Sequence, residues 1–205
     1  MDIGVLFMAV LPPTEVARRG PLDGRSDSEI IRAILDGDSN ASEELVRRYW
    51  NDCARAALIV IGDQGYAEDA AQEAFISALG ALKKFDQNRP FAPWLHRIVV
   101  NKAIDRARKP DYSREEPVGE MPSPNPVLKL EAGSDDLGAR VIEIVGGLDP
   151  LDRAMLVARH VLGYRAVEIA EWLDIPAATV RVRIHRASIR VQLLVEEGKG
   201  DAGDD

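Results

Sequence analysis

Near its C-terminus the chain reads ATVRVRIHRASIR, Ala178 to Arg190, with four arginines, one histidine and no acid. The whole protein is acidic, with 34 Asp and Glu against 26 Lys and Arg and a formal charge of −8. Val180, Ile184, Ala187 and Val191 recur at i, i+4, i+7 and i+11, which is one narrow apolar stripe on an α-helix. That stripe is expected to pack inward. Arg181, Val182, His185, Arg186 and Ile189 then point broadly the other way, with Arg183 to one flank. A merely solvated face would mix both signs, because like charges at helical spacing repel by roughly 0.2–0.5 kcal/mol per pair. The missing counter-charge is read as phosphate and base edges, since arginine forks onto guanine and Val182 is suited to a thymine methyl.

The residues upstream give this helix its setting. LDPLDRAMLVARHVLG (Leu148–Gly163) reads as a helix with Asp149 as N-cap, Pro150 at its first position and Gly163 past its end. AVEIAEWL (Ala166–Leu173) reads as a short second helix with apolar Val167, Ile169, Ala170 and Leu173, and DIP follows as a tight turn. Two helices joined by so short a turn form a helix-turn-helix, whose second helix enters the major groove.

Farther upstream, SEELVRRYWNDCARAALIVIG is amphipathic from Ser42 and reads as core-forming. In YAEDAAQEAFISALGALKKF, Ala71, Ala74, Ala78, Leu82 and Phe85 share one face, and Asp69, Gln72, Glu73 and Ile76 gather on the opposite one. Acids around one exposed isoleucine fit a protein-docking patch, with a plain solvated face as the alternative. FDQNRPFAPWLHRIVVNKAIDRARK (Phe85–Lys109) is basic through Arg89, Arg97, Lys102, Arg106, Arg108 and Lys109, with Phe91, Trp94 and His96 interleaved. Stacking surfaces and backbone-directed charges together suit single-stranded nucleic acid. The alternative is that Phe91 and Trp94 belong to the core.

Between these modules lies Pro110–Asp136, with five prolines and seven acids against two bases, expected to be an extended, flexible linker. The expected organisation is therefore all-α: a leader over 1–25, a helical module over 26–109, the Pro-rich acidic linker over 110–136, a helix-turn-helix module over 137–195, and an acidic tail over 196–205. The apolar start, IGVLFMAVLPP, is too short to span a membrane and lacks the flanks of a secretory signal. It reads as a disordered leader or a small docking segment. The single cysteine, Cys53, excludes an intramolecular disulfide, and its scatter from His96, His160 and His185 argues against a zinc site. No cofactor, no catalytic residue and no membrane insertion are expected, and the chain reads as cytoplasmic.

The order of these features is similar to that of a known family. AEDAAQEAFISALGALKKFDQNRPFAPWLHRIVVNKAIDRAR resembles the second conserved region of bacterial sigma factors, and LDPLDRAMLVARHVLGYRAVEIAEWLDIPAATVRVRIHRA resembles the fourth. With those two regions and a short linker, the chain resembles an extracytoplasmic-function sigma factor. The resemblance implies that Asp69, Gln72 and Glu73 dock on the clamp helices of the core RNA polymerase largest subunit. It implies that the Asn88–Arg97 segment, with Asn101, Lys102 and Arg106, captures the melted −10 element of promoter DNA. Thr179, Arg181, Arg183 and Arg186 would read the −35 element, and an anti-sigma factor would be a partner. Three positions depart from the family pattern: Arg165 where Ser or Thr caps a helix, Asp174 in place of a turn glycine, and Ala92 with Pro93 before Trp94. The competing reading is a stand-alone helix-turn-helix regulator, which leaves the first module without a purpose.

Overall fold

The computed structural model describes residues 24–109, 141 and 143–200, with side chains to residue 197. The linker expected over 110–136, almost all of the leader and the last tail residues lie outside the described residues. Every described element is helical. Helix α1 (Asp27–Leu35) starts in a capping box, in which Ser26 Oγ accepts from the Glu29 backbone and Glu29 Oε2 accepts from Ser26 N at 2.6 Å. Helix α2 (Ser39–Ile61) starts on Asp38 and stops at Gly62, whose φ of 88° suits a residue without Cβ. Helix α3 (Gln64–Ala81) starts on Asp63 and tightens into a 3-10 turn, Leu82–Lys84. Helix α4 (Phe91–Ala107) follows Pro90.

Helices α2, α3 and α4 pack on one another. The contacting face of α3 is Ala67, Ala70, Ala71, Ala74 and Ala78, all buried, and small side chains let helix axes approach closely. Helix α1 is held to α2 by charge: Arg48 donates to Asp27 at 2.6 Å, the Tyr49 hydroxyl donates to Asp27 at 2.5 Å, and Arg25 pairs with the buried Glu44. Such pairing is what allows charged groups to sit so close to a core.

In the second module Asp149 caps α5 (Pro150–Leu156) by accepting from Leu151 N at 2.9 Å, with Pro150 in the first turn. The expected single helix continues as a π turn, Val157–Val161, and ends at Gly163 with φ of 80°. Helix α6 (Ala166–Leu173) starts without a Ser or Thr cap. Instead, Glu168 reaches back and accepts from Arg165 N at 2.8 Å and from Arg165 Nε at 3.2 Å. The backbone bond is the main reason its carboxyl titrates below the ordinary value. Asp174 takes the left-handed conformation (φ 53°, ψ 48°) that the turn requires, which a short polar side chain tolerates.

Helix α7 (Ala177–Gly200) follows and runs on past residue 195, so the first part of the acidic tail is helical. Its stripe is as the sequence predicts: Val180, Ala187, Val191 and also Val195 are buried, and Ile184 is half-buried. The two helical domains also touch. Helices α2 and α4 lie against α5, and the apolar side chains of both domains form one continuous core. Nothing in the local sequence pattern anticipates that contact.

Candidate polymerase and nucleic-acid interfaces

The outward face of α7 is open. Thr179, Arg181, Val182, His185 and Arg186 are exposed, Val182 at 48%. Among the described residues no carboxylate bonds to Arg181 or Arg186, so their donors are available to a partner. Arg183 is placed differently from these residues. Its Nε donates to Asp152 at 2.7 Å and its second guanidinium nitrogen bonds Asp149 at 3.3 Å, so it braces α7 against the start of α5. The bond to Asp152 holds its proton more tightly than usual. Asp149 thus serves both as helix cap and as part of that brace. Beside α7 lies a groove of about 670 Å³ with Arg159, Arg165, Arg181 and His185 on its walls. The sequence reading placed neither Arg159 nor Arg165 beside this helix, because they come from the π turn and the start of α6, outside the basic run.

The basic surface of the first module is built differently. Arg97 is exposed, and Asn101, Lys102 and Arg106 are half-buried along α4. Lys102 Nζ donates to Glu73 Oε2 of α3 at 3.3 Å. The Arg106 guanidinium lies over the Tyr66 ring of the same helix, 3.8 Å from its centre, a cation–π arrangement. So α3 contacts both of these cations.

Two of the three expected stacking groups are corrected. Phe91 is only 2% exposed and packs edge-on against Tyr49 and Phe85, at 5.5 and 5.6 Å between ring centres. It is a core residue, since its apolar ring gains more from that cluster than from water. His96 is also buried, packed beside Tyr49 and with Nδ1 2.8 Å from the Tyr164 hydroxyl of the second module. Tyr164 in turn packs on Trp172, 4.2 Å between centres. Burial disfavours the imidazolium and lowers the His96 pKa to about 4. The same burial raises the Tyr164 hydroxyl well above its ordinary value. Trp94 remains half-buried, tilted against Phe85 and Phe91.

The acidic patch on α3 is assembled as its spacing predicts. Asp69, Gln72 and Glu73 are exposed beside Ile76, which is 72% exposed and the most solvent-accessible of the large apolar side chains described. Among the described residues no three His, Cys, Asp or Glu side chains converge as a metal site requires, and no helix is long and apolar enough to cross a membrane. Cys53 is fully buried, and burial pushes its thiol pKa up, away from reactivity.

Comparison with known proteins covers both halves. The family described as Sigma-70 region 2 matches residues 45–111, and Sigma-70, region 4, matches residues 139–191. The ECF RNA polymerase sigma factor SigW of Bacillus subtilis (strain 168) is 33% identical over 182 residues, covering 80% of this chain and 94% of the relative. The ECF RNA polymerase sigma-E factor of Escherichia coli (strain K12) is 29% identical over 177 residues, 79% of this chain and 90% of the relative. Among solved structures, CnrH in complex with the cytosolic domain of CnrY superposes with a TM-score of 0.62 at 28% identity. That match covers 83% of this chain and 97% of the other.

Proposed function

The chain belongs to the extracytoplasmic-function sigma factors of bacterial RNA polymerase, and from that premise we propose how its surfaces divide the work. A sigma factor directs the polymerase to promoters and catalyses nothing itself. Asp69, Gln72 and Glu73, centred on Ile76, dock on a basic surface of the core enzyme. Arg97, Asn101, Lys102 and Arg106, with the accessible part of Trp94, hold the melted −10 strand through its backbone and one stacked base. Thr179, Arg181, Val182, His185 and Arg186 read the −35 element as duplex. The residues 26–109 and 137–195 act as separate units on the acidic, proline-rich tether 110–136, and the factor works in the cytoplasm.

One observation carries this assignment: α7 exposes Arg181 and Arg186 with no carboxylate of the described residues on either, on a helix whose opposite stripe is buried. Geometry adds a requirement. Elements about 25 base pairs apart are separated by roughly 85 Å of duplex at 3.4 Å per step. A folded chain of this length has a radius of gyration of about 17 Å. The two domains must therefore part, losing the His96–Tyr164 contact, before both elements are held at once. CnrH forms a complex with the cytosolic domain of CnrY, and a protein partner of that kind binds this factor as well.

Reconstitution with core polymerase tests the assignment. The holoenzyme should initiate at discrete promoters, and substitutions in the −35 element should reduce initiation less for Arg181→Ala and Arg186→Ala than for the native protein. Discrete initiation with a −35 dependence that both variants fully retain would remove α7 as the reader.

A further inference from the structure

The polymerase-docking patch and the strand-holding row share an atom pair. Lys102 Nζ on α4 bonds Glu73 Oε2 on α3 at 3.3 Å. The Glu73 side chain is 68% exposed and Lys102 only 29%, so an incoming surface can reach the carboxylate while the ammonium stays beside it. We infer that Glu73 masks Lys102 in the free chain, and that a basic polymerase surface taking up Glu73 releases Lys102 for a strand phosphate. This rests on the roles proposed above for the two residues.

The chemistry of the pair favours masking over support. An ammonium bonded to a carboxylate has its charge locally cancelled, and the same carboxylate repels any phosphate approaching it. Moving Glu73 onto a partner's cation removes both effects at once. Arg106, one turn along α4, is held by the opposite logic. The Tyr66 ring beneath it orients the guanidinium but carries no formal charge, so the cation keeps its full attraction for phosphate. One helix thus presents a standing cation and a gated one. Docking and strand capture become linked through Glu73, and unassembled protein is kept from binding stray single strands at full strength.

The test is a double-mutant cycle on the full chain without polymerase, reading anisotropy of a fluorescein-labelled oligodeoxythymidylate across a salt series. Glu73→Gln should tighten binding by about two- to fivefold, the range of an exposed ion pair. It should also steepen the salt dependence by about 0.7, the value for one more neutralised phosphate on a single strand. In a Lys102→Met background the same change should do neither. A gain that persists in the Lys102→Met background, or no gain at all, overturns the masking. A parallel measurement separates this from the underlying assignment: holoenzyme carrying Lys102→Met should bind a pre-melted −10 template more weakly. If it does not, the strand-holding role of Lys102 falls and the inference with it. If it does while the free-chain cycle is additive, only the masking is lost.

Discussion

The two surfaces proposed to bind DNA carry positive charge in opposite ways. On α7 Arg181 and Arg186 stand clear, and the acids nearby, Asp149 and Asp152, pair with Arg183 at the flank. On α4 Lys102 and Arg106 are each in contact with α3, Arg97 stands exposed, and His96 is covered by the other domain. The difference fits what each surface is proposed to bind. A duplex presents its major groove and phosphates permanently, so a rigid, exposed helix is ready for it. Unpaired bases exist only after melting, so a surface for them gains from being held back until polymerase is present.

The comparison breaks most visibly at Phe91. As a core residue it should cost about 3–5 kcal/mol when changed to alanine, read as a lowered Tm in thermal denaturation. Wild-type stability in Phe91→Ala would return that ring to the surface. His96 should show a pH signature. Its folded pKa of about 4 lies below the ordinary 6.5, so as pH falls from 6.5 the unfolded chain takes up the proton first. Stability should be complete above that range and should decline between about pH 6.5 and pH 4, by up to roughly 3 kcal/mol at one pK unit per 1.4 kcal/mol. Denaturant melts of His96→Leu should lack that component, and an identical pH profile in the variant would show that His96 is not buried as described.

On the open side, Arg181→Ala and Arg186→Ala should each lose about 1–3 kcal/mol of −35 discrimination, measured with a promoter series. A uniform loss across all sequences would make them phosphate contacts instead. Arg183→Ala should be the mildest, costing about 1 kcal/mol or less of stability because its pairs are half-exposed, with −35 selectivity retained. A selectivity loss as large as that of Arg186→Ala would place Arg183 on the DNA after all.

What the sequence made legible follows the range of the interactions. The α7 stripe, the Asp149 cap, Gly163 and the Ala face of α3 are set by neighbours within a few turns, and each reads directly from spacing. Arg165 and Asp174 broke the usual pattern, and local chemistry still accommodated both: a back-reaching Glu168 and a short polar side chain in a left-handed turn. The errors lie where the partner is remote. Arg183 has its carboxylates on α5, and His96 looked accessible because Tyr164 belongs to the other domain. Phe91 and Trp94 illustrate the remaining ambiguity. Both are aromatic in a basic segment and both pack against Phe85, and burial against Tyr49 sets Phe91 apart as core.

The division of labour is tested most directly by permanganate reactivity of unpaired thymines in open complexes on two templates, one fully duplex and one pre-melted across the −10 element. Holoenzyme carrying Lys102→Ala with Arg106→Ala should assemble normally, show weak reactivity on the duplex and recover partly on the pre-melted template. Holoenzyme carrying Arg181→Ala with Arg186→Ala should be impaired on both templates, because its defect precedes melting. Normal melting of the duplex by the Lys102→Ala, Arg106→Ala protein, or equal rescue of both variants by the bubble, would contradict the separation of a strand-holding first domain from a duplex-reading second.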